Sequence, residues 1–424
     1  MVLSGCTSIS KGVVEALLEK SETAEDKVCQ ITGSPVEGLD VLIDRKTGTT
    51  KVLMVHGVGD HLPGYSTQML EKLAKALNLT RHLGEFKDIR LRHPQDNEQK
   101  LGHLRAWHLL NETGDRQLSF YELTWSEITH DQKSLLAFDN SGEHDFRRAK
   151  VNDLLKKFSN DTSPDPIIYM SQSRELILSA FAQAFCWMSA YDWQDLPDNI
   201  EQSCIGRFDD SAERALSDHY AFITHSLGSR ITIDGLQRIA ALLPTLNDRL
   251  PEHQRHISFT DRIEAFRRQR IPIFMLSNQL PLLQLGQPLP EVSEQINAYC
   301  QPTGDHYDKR MLGETALYAF SDPNDLLSYA IPKGFAERYI DSRLCPTVTN
   351  ITINVANLID AFGISNLANP LEAHTAYDHD DRVIAMIAHG VGSRDDAELV
   401  KTKCQFTRVL PAPSRQGREG APGN

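Results

Sequence analysis

Ala221-Phe222-Ile223-Thr224-His225-Ser226-Leu227-Gly228-Ser229 is an apolar run that stops at a serine flanked by small residues. The run predicts a β-strand and residues 229–243 predict a helix, so the serine falls on a sharp strand-to-helix turn. Such a turn lifts the serine above the sheet with its hydroxyl exposed and the N-terminus of the next helix beneath it. Small residues two before and two after let strand and helix pass closely, which gives the pattern G-x-S-x-G. Here Gly228 is the second glycine, and Thr224 stands where the first would be. A lone pentapeptide is common, so its meaning depends on its surroundings.

Upstream, residues 51–55 (KVLMV) form a continuous apolar run, as expected of a strand covered on both faces. The run ends at His56-Gly57-Val58-Gly59, and residues 66–77 carry helical periodicity. Residues 39–44 (LDVLID) read as an earlier strand and 118–125 (LSFYELTW) as a later one, with a polar region between. A helix-rich stretch, 126–216, precedes the serine strand. Beyond it, residues 271–276, 315–320 and 350–355 are short apolar runs, and 382–388 read as the last helix. Strands alternating with helices predict a mostly parallel central sheet flanked by helices, with right-handed crossovers. Functional loops then gather at the carboxyl ends of the strands. His56-Gly57, Ser226, Ser277-Asn278, Asp322, Asp325 and the loop after Val355 all fall at that edge.

The 424 residues allow one large domain or two to three ordinary ones, and a net charge of -13 argues against nucleic acid. No apolar run approaches the ~20 residues of a membrane span. The longest, 176–188, is interrupted by Ser179 and Gln183 and reads as a buried or lid helix. Leu3-Ser4-Gly5-Cys6 resembles the lipobox of bacterial lipoproteins, with a polar stretch after it. Only Met1 and Val2 precede it, so the charged and apolar regions of a signal peptide are not in this sequence. The resemblance implies lipidation at Cys6 and an anchor at the cell envelope, on the periplasmic or outer-membrane face. An accidental tetrapeptide would leave a cytoplasmic protein. Six cysteines remain beside Cys6, an even number that fits disulfides in an oxidising compartment or buried thiols. No Cys/His spacing resembles a zinc site. The domain reading is a segment 1–38 with a short helix, a domain 39–408, and a Pro/Gly-rich tail 409–424 that reads as disordered.

V-H-G-V-G after one strand, T-H-S-L-G after another, then an acid and a histidine after later strands, resemble the α/β-hydrolase superfamily from about residue 39 to 388. The order Ser, Asp, His is that superfamily's order. Serine is a weak nucleophile at pH 7, so it needs a base to take its proton and an acid to hold the base. Ser226 is the nucleophile by the turn argument. Asp325 is the preferred acid over Asp322, which otherwise stabilises a Pro-Asn turn, and Asp360 is a distant third. His374, before the last helix, is the expected base. His225 packs beside the site, His379 lies in an acidic helix start, and His389 faces a helix C-terminus. The backbone N–H groups of Leu227 and, by resemblance, Val58 form the oxyanion hole.

Segments 126–216 and 279–313 read as helical cap or lid insertions, with face-covering helices as the alternative. The implied function is a serine ester hydrolase of lipase, phospholipase or carboxylesterase type, acting on an ester or lipid small molecule without metal or cofactor. An acyltransferase or peptidase would use the same triad, and a lipoprotein binding module would use none of it.

Overall fold

The computed structural model describes residues 29–137, 159–204, 216–249, 263–361, 364–392 and 398–407, together with 149, 152 and 156. Cys6, the expected helix in the segment 1–38 and the tail 409–424 lie outside the described residues.

Among the described residues fifteen strands run in chain order. They are β1 (Cys29–Thr32), β2 (Val36–Glu37), β3 (Thr50–Val55), β4 (Thr80–Arg92), β5 (Lys100–Leu110), β6 (Gln117–Thr124), β7 (Ile200–Gln202) and β8 (His219–His225). Then come β9 (Arg270–Leu276), β10 (Glu314–Ser321), β11 (Pro346–Ile353), β12 (Leu358–Ala361), β13 (Ile364–Ala368), β14 (Gly390–Val391) and β15 (Gln405–Thr407). Eleven of them make one sheet in the order β15-β1-β11-β10-β9-β8-β3-β6-β5-β4-β7. The block β11-β10-β9-β8-β3-β6 is parallel throughout, while β5 and β1 run antiparallel to their β6 and β11 neighbours. The fold is α/β, with a mostly parallel mixed sheet between helices.

Both faces of the sheet are buried, which is why its central strands are apolar without alternation. Helices Arg174–Ala190 and Leu227–Arg249 cover one face, over a core containing Leu53, Val55, Tyr121, Phe222 and Ile273. Helices Leu39–Ile43, Thr67–Ala76 and Asp381–His389 cover the other, over Val52, Met54, Phe120, Ile223 and Phe274.

Three expectations are corrected here. Residues 39–44 are not a strand: Leu39, Leu42 and Ile43 are buried with the i, i+3, i+4 spacing of a helix face. The polar region before residue 118 holds β4 and β5, an antiparallel pair. The apolar helix at 176–188 is no lid, because it lies flat on the sheet. Phe181 packs 5.8 Å from Phe222, and Phe185 packs 6.3 Å from Tyr220, ring centre to ring centre. Helix Leu227–Arg249 crosses it at Gly235, where any Cβ would strike the Phe181 ring. Fully burying side chains of this size stabilises by about 2 kcal/mol each. The sheet also takes in β1, from the segment 1–38 that the sequence sets apart.

All six cysteines other than Cys6 pair: Cys29–Cys404, Cys186–Cys204 and Cys300–Cys345. The first joins the ends of the described chain beside the parallel pairing of β1 with β15.

Candidate active site

Strands β3 and β8 are neighbours, yet the chain leaves β3 towards β6 on one side and β8 towards β9 on the other. Ligand sites of open α/β sheets form at such a reversal, outside the carboxyl ends of the strands. Ser226 stands there. It is left-handed, with φ +53°, between the end of β8 and the helix Leu227–Arg249. It is fully buried rather than exposed as the turn predicts, because the loops of the carboxyl edge close over it. That conformation costs a non-glycine residue about 1–2 kcal/mol. It is held by a 2.9 Å hydrogen bond from the Ser226 N–H to the Leu276 carbonyl at the end of β9.

The tight turn explains the residues around it. A Cβ on Gly228 would strike the Val55 carbonyl, and one on Gly57 would come within 2.6 Å of the Ser226 Cβ. Thr224 is accommodated in place of glycine because it is fully buried with its hydroxyl 3.0 Å from that of Ser229.

His374 comes from the helix Pro370–Thr375, started by Asn369, whose side chain accepts from the Leu371 N–H. Its Nε2 lies 3.2 Å from the Ser226 Oγ, and its Nδ1 lies 3.0 Å from both Asp325 carboxylate oxygens. Ser226, His374 and Asp325 are thereby brought together from 148 and 49 residues apart in sequence. Burial pushes the Asp325 carboxyl up, but hydrogen bonds from His374, Ser277 and the Leu327 N–H outweigh it and hold the group below the usual carboxylate range. Asp322 is not brought to the histidine. Its carboxylate accepts from the N–H groups of Val355 (2.6 Å), Ala356 (3.2 Å) and Asn324 (2.7 Å), which fastens β10's loop to the chain leaving β11. Asp360 lies on β12 and its side chain is outside the described residues.

Two neighbouring histidines are kept neutral. Burial, with His374 alongside, lowers His225 to about 3, and its Nε2–H donates to the His374 carbonyl at 2.8 Å. Burial also takes His56 well below its ordinary value. Its Nε2 accepts from the Trp125 N–H at 3.1 Å while its ring stacks on Trp125, so Nδ1 is left to donate to the Gly57 carbonyl. The turn carrying Gly57 and Val58 is fixed from the other side as well, where the Gly59 N–H donates to the buried Asp165 at 2.6 Å. Leu227 opens its helix, so its N–H has no acceptor four residues back within that helix. Asp380 accepts from the Arg382 N–H and caps the last of the large helices, and His389 pairs with Asp40.

Ser277 was not singled out by sequence as a site residue. It follows β9 as Ser226 follows β8, in register on adjacent parallel strands, and it too is left-handed, with φ +49°. Its hydroxyl donates to Asp325 at 2.7 Å and lies 2.9 Å from the His374 Nδ1, so it fixes both members of that pair. Sequence puts Ser277 at the carboxyl edge without a role, and its position matching Ser226 on the adjacent strand is the signal that would have given it one.

Among known proteins, no family model, no curated protein and no solved structure matches this chain.

Proposed function

We propose that the protein is a serine ester hydrolase of the α/β-hydrolase type, working through Ser226, His374 and Asp325. The observation that carries the reading is the unbroken bridge from the Ser226 hydroxyl through His374 to Asp325, at the reversal point of a mostly parallel sheet. The turn geometry of Ser226 and the chain order Ser, Asp, His support it further.

In this mechanism Ser226 Oγ attacks the ester carbonyl carbon as its proton passes to His374 Nε2. Asp325, held ionised, keeps the imidazole with its proton on Nδ1 and stabilises the imidazolium. The Leu227 and Val58 N–H groups take up the oxyanion. The imidazolium returns the proton to the departing alkoxide, leaving an acyl-Ser226. Water, deprotonated by His374, then releases the carboxylic acid and restores the hydroxyl.

Three disulfides support an oxidising compartment for the folded domain. They leave Cys6 as the one cysteine outside them, as a lipid anchor at the cell envelope requires. With the helix Arg174–Ala190 on the sheet face, the cap role falls to the segments at the carboxyl edge, among them the helices Glu127–Ala137 and Pro164–Tyr169.

A fluorophosphonate probe tests the reading. It labels Ser226, S226A is not labelled, and hydrolysis of p-nitrophenyl esters falls about 10⁴-fold or more in S226A. Ester turnover that persists in S226A would remove the proposal.

A further inference from the structure

Among the described residues, every large apolar side chain more than 70% exposed belongs to one edge of the sheet. These are Leu62 (82%), Leu135 (78%), Leu326 (73%), Ile167 (71%) and Leu285 (71%). Leu62 follows β3, Leu135 lies on the helix Glu127–Ala137 after β6, Leu285 follows β9 and Leu326 follows β10. These four strands are mutually parallel, so their following segments share the carboxyl edge where Ser226 sits. Ile167 joins them because its helix, Pro164–Tyr169, is tied to the Gly59 N–H through Asp165. That helix meets the loop of Leu285 as well, where the Gln287 amide reaches the Met170 sulfur at 2.7 Å. Beneath this rim Ser226 has no exposed surface and His374 only 4%.

We infer that this rim is a docking surface for an uncharged or zwitterionic ester-lipid surface, the phase from which the site draws its substrate. The inference rests on the ester-hydrolase reading of the same site. Exposed leucine and isoleucine gain by leaving water, and an acyl chain drawn from a lipid surface would remain in apolar surroundings on its way to Ser226. Charge selects the kind of surface. Lys133, a cation of this edge, is buried and neutralised by Asp60, Asp161 and Asp165. Asp60, Asp161 and Asp165 outnumber Lys133 there, Asp60 and Asp161 are partly exposed, and the whole chain carries -13, so an anionic surface is repelled. The proposed anchor fits the same geometry, because the stretch from Cys6 to Cys29 reaches at most about 80 Å even fully extended.

The test uses the full-length chain carrying Cys6→Ser, so that no acyl anchor contributes, in flotation with phosphatidylcholine vesicles. Parallel fluorophosphonate labelling of Ser226 reports on the ester-hydrolase reading separately. The protein is expected to float, and Leu135→Ser/Ile167→Ser/Leu285→Ser to lower the vesicle-bound fraction about tenfold or more. Replacing about a third of the lipid with phosphatidylglycerol is expected to weaken binding. Should the triple variant fail to fold, judged by lost labelling, Leu135→Ser and Leu285→Ser are read singly, each with a smaller loss. Flotation unchanged in the variants overturns the assignment of the rim. Flotation only with phosphatidylglycerol present overturns the uncharged surface. Self-association abolished by the variants, without flotation of the parent, makes the rim a contact between copies of the chain and overturns the lipid reading. Flotation without labelling leaves the docking surface standing and removes the hydrolase reading instead.

Discussion

The sheet carries a buried polar cluster at each end, and the two are built on opposite principles. At the amino end, the fully buried Lys51 pairs with Asp218 at 2.6 Å and donates to the Tyr191 carbonyl at 2.9 Å. Asp218 also accepts from the Thr49 N–H, so the strand starts of β3 and β8 are locked by paired opposite charges. At the carboxyl end Asp325 faces the imidazole of His374, whose other nitrogen meets a neutral hydroxyl. A proton moved from Ser226 to His374 turns that contact into an ion pair, whereas the Lys51 cluster is already one. Backbone conformation follows the same division. Ser226 and Ser277 are left-handed at the carboxyl ends of β8 and β9, where side chains must be aimed away from the sheet. One cluster is a lock and the other, in the proposed function, is a proton path.

The sharpest way to break this comparison is to spoil the proton path without touching the lock. Asp325→Asn removes the charge that holds His374 in its working tautomer, and turnover on p-nitrophenyl esters is expected to fall about 10³–10⁴-fold with little change in stability. Asp322→Asn turns one of the two oxygens that accept from three backbone N–H groups into a donor facing donors, so it is expected to lower the unfolding free energy by about 1–3 kcal/mol instead. Kinetics beside urea denaturation separates them. The reverse pattern would make Asp322 the acid.

The opposite cluster is sharpened by Asp218→Asn, which leaves the buried Lys51 ammonium against a neutral amide with only the partly exposed Asp192, at 3.7 Å, opposite it. Breaking a buried pair from one side costs about 3–5 kcal/mol. Urea midpoints are expected to fall accordingly while turnover per folded molecule stays close to the parent's. A large kinetic effect without a stability loss would mean that the two ends are coupled through the sheet.

The two regions also differ in how they could be read from sequence. β3, β8, β9 and β10 were legible because strands buried on both faces leave continuous apolar runs. The turn at Ser226 was legible because only small residues survive beside it. β4 and β5 were obscured because the positions next to Ile89 and Leu104 carry Asp88, His103 and Arg105, which pair across the two strands. Residues 39–44 misled because a short apolar run fits either period, and Leu39, Leu42 and Ile43 disclose the helical one only once their burial is known. The choice between Asp325 and Asp322 turned on backbone N–H groups contributed by residues 355 and 356, from beyond the next strand. β1 and β15 are short and polar, and Cys29–Cys404 pairs ends of the chain that no spacing rule connects.

The smallest expected effect is in acid. His225 is held to about 3 by burial and by His374 beside it, against about 6.5 for a histidine in the unfolded chain. The unfolded state therefore takes up a proton that the folded state refuses. The contribution is neutral above pH 6.5, and stability is lost as pH falls from 6.5 towards 3. At pH 5 the loss from His225 alone is about 2 kcal/mol. Glutamine at this position keeps an N–H donor for the His374 carbonyl but does not titrate. His225→Gln is therefore expected to lose less stability than the parent between pH 7 and pH 5, measured by urea denaturation at both values. His56, lowered for the same reason, should preserve part of the parent's loss in the variant. If parent and variant lose the same amount, His225 is not the group that refuses the proton, and its neutral hydrogen bond to His374 would have to be redrawn.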